Sequence, residues 1–585
     1  MKSKRSEKRT GLTRREFVQN SSRVGATVAG AALISSLPRA RALASPSVVW
    51  AQEVISGAGA VATELEEVAR VGAGIVERGG NAMDAAAAAC LAGCIMQPHL
   101  SDLGGYVGCA VVLEAKADRV WSLDSNSVAP EAAHERMFKV LPLAEGPRDI
   151  NENEYGCRIE NNANVYGPLA VGVPGTLGGV GRLWERWGSL KWSEIVAPSL
   201  TLLENGFAFG STAEAIKQKE PMIRRYEPSV RHLLPDGKVP GKDQIWHRPD
   251  MKKTLERISA SGWRDFYEGE IGQKIADYVA GLGGILTRKD MSRFDPRVSE
   301  PYQIAYRDAK VFGAILPNGG LSSLQILNML ECFEPVPDRT AAYWHRLAEI
   351  LKRVWRDRFS YLGDPDFAAV PVARLLNKEY AAGRTETIRQ FPNHVDRLVP
   401  ALPEPSPHGT MHVSTADKTG NLVAITISHG GLFGSCLTVP GTGITLGHGM
   451  CRFDPHPGLV NSVGARKRPL NNVSPTILRL PDRDVALGLR GGRRIVNVSA
   501  QLAQRIIDFK STVSEATAAP RLVIQAKEPG EVANSLESSI VKELVSMGHE
   551  LKPVPGLVMG AHGAEFLKRE RKVRAGGNSG AVGVG

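Results

Sequence analysis

Apolar residues follow two periods along the chain, and the switches between them mark out elements. Residues 82–97 are rich in Ala, lack Pro and are apolar nearly all round, which predicts a buried helix capped by Asn81 and ended by Pro98. A tight turn, Ser101-Asp102-Leu103-Gly104-Gly105, leads to strands at 109–113 and 120–123. Pro174-Gly175-Thr176 opens a helix to about Trp187, and a further helix over 190–205 meets a stop at Gly206. Residues 207–300 read as mainly helical with charged faces. A strand within 306–316 precedes Pro317-Asn318-Gly319-Gly320 and a helix from Ser322 to about Phe333.

From 364 to 409 the chain is dense in Pro, Arg and Glu with weak periodicity, which predicts an exposed connector of the kind that tolerates cleavage. Strict alternation then appears. Residues 411–416 and 422–428 flank Asp417-Lys418-Thr419-Gly420-Asn421, a β-hairpin signature that puts Thr410 and Ser428 at the same open end. Residues 485–489 predict a strand running into Gly491-Gly492. A helix over 493–509 follows, with Ile495, Val498, Leu502 and Ile506 on one face.

The 585 residues exceed one ordinary domain, so two domains or one large layered unit is expected. The net charge of +11 suggests an acidic partner until it is located. Residues 1–44 hold ten Lys/Arg and two Glu, so +8 belongs there and +3 to the remainder. Nucleic-acid binding has no compositional support. The basic segment has its own order: Thr13-Arg14-Arg15-Glu16-Phe17-Val18 has the twin-arginine pattern, an apolar run covers 24–37, and Ala42-Leu43-Ala44 offers a small-x-small cleavage site. This predicts a signal peptide over 1–44 and export by the twin-arginine route to the periplasm or beyond, with no stable membrane span. Seven cysteines in so long a chain do not make a disulfide framework.

The candidate chemistry centres on Gly409-Thr410. If that bond were cut, Thr410 would carry a free α-amine beside its own hydroxyl, a nucleophile and a general base in one residue. The amine's reference pKa near ~7.7–8.0 leaves a useful fraction able to accept a proton at neutral pH. A Thr opening a strand is equally a β-branched residue in its favoured place. Gly491-Gly492, between a strand and a helix N-terminus, either presents free N–H groups to a developing oxyanion or makes a plain turn. His408, His412, His429 and His448 lack established ligand spacing, and no metal or other cofactor is expected.

Several stretches together resemble the γ-glutamyltransferase (glutathione hydrolase) family. They are Gly79-Gly80-Asn81-Ala82-Met83-Asp84-Ala85-Ala86, Pro98-His99, Tyr166-Gly167-Pro168-Leu169 and Val173-Pro174-Gly175-Thr176. Later come Gly409-Thr410-Met411-His412, Val439-Pro440-Gly441-Thr442-Gly443-Ile444, Lys467-Arg468-Pro469-Leu470, Ser474-Pro475-Thr476 and Gly491-Gly492. The resemblance implies an α+β fold: a four-layer αββα sandwich of the N-terminal-nucleophile hydrolase type, formed from two self-cleaved fragments. These would be a large subunit, 45–409, and a small subunit, 410–585, that stay together. It implies Thr410 as nucleophile, Gly491 and Gly492 as oxyanion hole, Ser428 as a hydroxyl supporting the Thr amine, and acyl transfer from a small amide to water or an amine or peptide acceptor. The positions matching the family's γ-glutamyl-binding residues are Asn126, Gly430, Arg452, Asn471 and Asn472. There Arg stands where the family has an Asp for the substrate ammonium, and Asn where it has an Arg for the carboxylate. The segment between Phe453 and Lys467 is also shorter than the family's usual lid. Two enzyme readings remain, a γ-glutamyltransferase and an acylase for another, possibly anionic, acyl group; a third is a binding protein without turnover.

Overall fold

The computed structural model describes residues 48–142, 155–390, 395–396, 399–400, 408–525, 527–555, 557 and 560–585. The expected signal segment and most of the connector just before His408 lie outside these residues.

The strands that matter for the site come in chain order as β1 (Val48–Ser56), β2 (Gly59–Ala62), β3 (Val107–Glu114), β4 (Arg119–Asn126), β5 (Arg297–Ser299), β6 (Tyr302–Tyr306), β7 (Ala309–Gly313), β8 (His408–Asp417), β9 (Leu422–Gly431), β10 (Thr476–Arg479), β11 (Arg483–Leu489), β12 (Ala561–Leu567) and β13 (Lys572–Val584). Among the described residues they form one antiparallel sheet in the order β6-β7-β10-β11-β12-β13-β2-β8-β9-β3-β4-β5, with β1 also on β13. The principal helices are α1 (Glu66–Glu77), α2 (Ala82–Met96), α3 (Thr176–Trp187), α4 (Trp192–Asn205), α5 (Gly320–Leu330), α6 (Ala341–Tyr361), α7 (Lys378–Gln390) and α8 (Arg494–Asp508). The fold is thus α+β, a large antiparallel sheet with helices. No helix among the described residues is long and apolar enough to cross a membrane.

The expected helix over 82–97 is α2, and its cap is a capping box. The Asn81 side chain accepts from the N–H groups of Met83 and Asp84 at 2.9 Å, while Asp84 Oδ2 accepts from Asn81 N–H at 3.1 Å. Such a cap stabilises a helix by about 1 kcal/mol. Every residue of α2 except Met96 is buried. Small side chains make this possible: a Cβ on Gly93 would lie 2.1 Å from Met411 Cε, so the missing side chain admits Met411. At the other end of α2, Ala82 N–H donates to Asp417 Oδ2 at 2.9 Å and Ala82 C=O accepts from Thr415 Oγ1 at 2.7 Å. The helix therefore clamps β8 at both ends.

Period-two alternation in β8 and β9 divides two cores. Met411, Val413, Val423, Ile425 and Ile427 join the cluster containing α2. Ala416, Leu422 and Ala424 join the cluster containing residues of α6 and α8. Thr410, His412 and Ser414 share the second face, because successive side chains alternate.

One expectation is corrected. The connector from 364 is not uniformly irregular, since Val372–Leu375 and α7 are helical. Only Ala381, Thr385 and Ile388 of α7 are buried, and so narrow and weakly apolar a stripe leaves little periodic signal. The other expected helices and strands above lie within a few residues of their observed bounds. Six of the seven cysteines are buried, and Cys332 is partly so.

Candidate active site

Antiparallel pairing places Thr410 opposite Ser428, as the hairpin pattern predicts, but Gly409 opposite Gly430. His429 is the extra residue, so the ladder is broken between Gly409 and Thr410. Bulges of this kind re-aim side chains near reactive centres. Thr410 Oγ1 lies 2.9 Å from Ser428 Oγ. Ser428 Oγ donates to the Gly409 carbonyl at 2.5 Å and accepts from Gly430 N–H at 2.9 Å. A serine has one hydroxyl proton. With that proton on the Gly409 carbonyl, the Thr410 hydroxyl is the donor of the remaining bond. A hydroxyl chain thus runs from Thr410 to the carbonyl of the peptide bond that precedes it. Gly409 cannot carry a side chain, as its Cβ would sit 2.3 Å from the Gly431 carbonyl oxygen.

The strand face carrying Thr410 continues in buried polar groups. His412 Nδ1 is 2.8 Å from Thr426 Oγ1 and its Nε2 is 2.9 Å from Ser414 Oγ. Burial pushes the His412 pKa down to about 3, and burial likewise holds His99 and His429 near about 3. These rings are neutral at pH 7 and add no charge beside Thr410. A Cβ on Gly488 would meet the His412 ring at 2.2 Å, so β11 crosses against β8 at a position only glycine permits. Gly491 and Gly492 follow β11 with φ of +138° and +58° and lead into α8. Arg490 is tied back toward the start of β8: its Nε is 3.2 Å from Glu64 Oε1, and the adjacent Thr63 donates to the His412 carbonyl at 2.9 Å.

Gly430 is the floor of a second group. A Cβ there would lie 2.3 Å from His448 Nε2 and 3.1 Å from Arg452 Nη2, so both side chains close over its Cα. Its φ of +95° also reserves the position for glycine. Both side chains are buried, and the Arg452 guanidinium lies 5.8 Å from the Tyr106 ring centroid. Tyr106 N–H in turn donates to the Ser428 carbonyl at 2.8 Å. The backbone carbonyl of Arg452 is held by Tyr155 Oη at 2.5 Å and Asn461 Nδ2 at 2.8 Å.

Asn126 stands in register with Val107, Ser428 and Thr410 across four strands, which puts all four side chains on one face. Its amide nitrogen donates to the Pro469 carbonyl at 2.8 Å. Asn471 and Asn472 are occupied within the protein. Asn471 Nδ2 donates to Asn318 Oδ1 at 3.2 Å, its Oδ1 accepts from Val473 N–H at 2.8 Å, and Arg358 reaches Asn472 Oδ1 at 3.0 Å. Buried Asp124 fastens this end: Oδ1 accepts from Asn126 N–H and Asn318 Nδ2, and Oδ2 pairs with Arg297 at 2.7 Å.

Of the residues picked from sequence, Thr410, Ser428, Gly409 and Gly430 are in direct contact and Arg452 is beside them. Tyr106, His448, Tyr155 and Asp124 were not picked as site residues. His448 was weighed in the sequence only as a metal ligand, and the others have no local signal beyond the turn that precedes Tyr106.

The profile of the gamma-glutamyltranspeptidase family matches residues 68–580. A glutathione hydrolase proenzyme of Pseudomonas aeruginosa is 32% identical over 522 residues, spanning 84% of this chain and 88% of that protein. An acylase ACY 1 proenzyme of Pseudomonas sp. (strain V22) is 32% identical over 517 residues, spanning 87% and 90%. The crystal structure of cephalosporin acylase from Bacillus halodurans superposes with a TM-score of 0.79 at 26% identity, covering 94% of this chain and 99% of that one. A broken ladder at a Gly-Thr bond, with two hydroxyls converging on it, therefore sits in a chain that belongs to the gamma-glutamyltranspeptidase family of enzymes.

Proposed function

We propose that this protein is a self-processing N-terminal-threonine amide hydrolase or acyltransferase. In the uncut chain Thr410 Oγ attacks the Gly409 carbonyl carbon, the peptide nitrogen leaves as the Thr410 α-amine, and water hydrolyses the resulting ester. The freed amine then serves as base for the same hydroxyl against an amide substrate. The acyl group passes to Thr410 Oγ, the amine leaves, and water or an amine takes the acyl group. Ser428 supports the Thr410 amine, and the N–H groups of Gly491 and Gly492 receive the oxyanion. The observation that carries this reading is the chain Thr410 Oγ1, Ser428 Oγ, Gly409 carbonyl. The names of the relatives, two of them proenzymes, support it.

The layered αββα architecture and its division into fragments 45–409 and 410–585 belong to the same proposal. Strands β11 and β12 lie against β8 and β9 without pairing with them. Helices α1–α3 pack on the β2-β8-β9-β3 side, and α5 and α8 on the β7-β11 side. The signal over 1–44 makes the protein an exported one.

For the substrate, the acylase reading fits better than a γ-glutamyltransferase reading. A free γ-glutamyl ammonium would meet the Arg452 cation where the family has a carboxylate, and its carboxylate would meet Asn126 in place of a guanidinium. Edman sequencing of the smaller fragment tests the processing step, and its first residue should be Thr410. A panel of acyl-p-nitroanilides then tests turnover by release of p-nitroaniline. An N-terminus elsewhere overturns the assignment of Thr410.

A further inference from the structure

Arg466 and Arg468 have no part in the reaction so far. They line a half-open cavity of about 240 Å³ together with Val128, Ala129, Val173 and Phe294. The segment that carries them is tied to the cavity wall: Arg466 N–H donates to the Ala129 carbonyl at 3.1 Å, and Ala129 N–H donates to the Lys467 carbonyl at 2.9 Å. Lys467, between the two arginines, is spent elsewhere, its Nζ donating to the carbonyls of Val460 and Ser462 at 2.8 and 2.9 Å. The carboxylates nearby are already engaged. Asp124 gives Oδ1 to Asn126 N–H and Asn318 Nδ2 and gives Oδ2 to Arg297 at 2.7 Å, while Asp366 pairs with Arg297 at 2.9 Å. Arg468 is left 3.7 Å from each of these two acids, outside hydrogen-bond distance. Its Nε is buried with no hydrogen-bond partner among the described residues. Burial works against its charge, Asp124 supports it and Arg297 opposes it.

The remaining charged groups of the lining are paired. Asp290 caps the short helix Arg288–Ser292, accepting from Thr287 N–H at 2.9 Å and from Glu131 N–H at 2.9 Å. Asp295 pairs with Arg182, and Arg293 with Glu131 at 3.1 Å. Arg466 is exposed, and its side chain makes no hydrogen bond or ion pair among the described residues. Two guanidinium groups without a hydrogen-bonded counter-ion thus stand over an apolar floor of Val128, Val173 and Phe294. We infer that this cavity binds a small organic carboxylate with an apolar body, the carboxylate on Arg466 and Arg468 and the body on the floor. An inorganic phosphate satisfies the arginines but covers none of the floor. A neutral amide covers the floor but leaves both charges without a counter-ion. The inference needs no role for Thr410. The cavity adjoins the Asn126 end of the site, since Val128 follows Asn126 by two residues and the Asn126 amide holds the carbonyl of Pro469, the residue after Arg468.

The test is calorimetric titration of the protein as it is produced, cut or uncut, with benzoate, benzamide and inorganic phosphate at equal ionic strength. Benzoate should bind at one site per chain with a Kd of about 1 mM or below. Benzamide has its shape without the charge, and phosphate has charge without the apolar body. Each should bind at least about tenfold more weakly. Arg466→Ser should weaken benzoate by about tenfold or more, and Arg466→Lys, which keeps the charge, should recover part of the loss. Arg466 is exposed and its side chain holds nothing in place among the described residues, so both variants should fold. Arg468→Gln should weaken benzoate further, and if that variant fails to fold the Arg466 pair still decides the matter. Any of four results overturns the inference: no benzoate binding up to about 10 mM, benzamide as tight as benzoate, phosphate as tight as benzoate, or benzoate affinity unchanged in Arg466→Ser.

Discussion

The two ends of the site are built in opposite ways. The proposed reacting end lies in one hairpin: Gly409, Thr410, Ser428 and Gly430 span a single strand pair and hold one another by direct hydrogen bonds. The proposed acyl-reading end gathers Asn126 from β4, Arg452 from the segment after β9, and Asn471 from the loop before β10. The first can change only by breaking a strand register. The second can change one loop at a time, and its residues already depart from the family's set. On the proposed function, chemistry is fixed where structure is local and continuous, and specificity varies where it is assembled from separate segments.

Breaking the reacting end should have the largest effect. Thr410→Ala is expected to leave one uncut chain on a denaturing gel and no measurable amide hydrolysis. Gly492→Val should lower kcat by about 10²–10³ if the turn supplies an oxyanion donor; unchanged turnover in that variant would leave the glycines as a turn alone. Ser428→Ala removes the proton on the Gly409 carbonyl and the acceptor of the Thr410 hydroxyl, and self-cleavage followed by gel densitometry should slow by about 10²-fold.

Changes at the reading end should move preference more than rate. Arg452→Asp restores a carboxylate facing a substrate ammonium, and kcat/KM for γ-glutamyl-p-nitroanilide should rise about tenfold. A variant no better than wild type would mean that Arg452 does not set this preference.

The smallest effect concerns stability. Burial raises the Glu64 pKa to about 7, with Arg490 opposing. A carboxyl raised above its unfolded value favours the folded state while protonated. Its contribution is full below about 4.5 and is lost as pH rises through about 7. Glu64→Gln should therefore lose stability relative to wild type less steeply between pH 4.5 and pH 7.5, by on the order of 1 kcal/mol in paired denaturation curves. Parallel curves for the two proteins would show that Glu64 does not titrate in this window.

What the sequence revealed follows the same division. The helix cap at Asn81, the hairpin around 417–421 and the facing of Thr410 and Ser428 depend on neighbours in the chain, and short-range patterns carry them. His448 and Arg452 close over Gly430 while Tyr155 holds the Arg452 carbonyl, an arrangement that joins segments about three hundred residues apart and that no local period encodes. Helix α7 was missed for a different reason: its buried positions, Ala381, Thr385 and Ile388, have helical spacing but little apolar bulk. The Gly430 position was legible only through resemblance, and its physical reason, a φ of +95° under two closing side chains, needed the structure.

Strand β13 lies between β12 and β2, and thereby joins the half of the sheet holding β11 to the half holding the Thr410 hairpin. Its residues come more than a hundred positions after Thr410 in the chain. While a ribosome is still translating that interval, Thr410 has already been made but the strand that joins the two halves of the sheet has not. The order of synthesis thus acts as a delay: the sheet around the Gly409–Thr410 bond is completed only long after that bond has emerged.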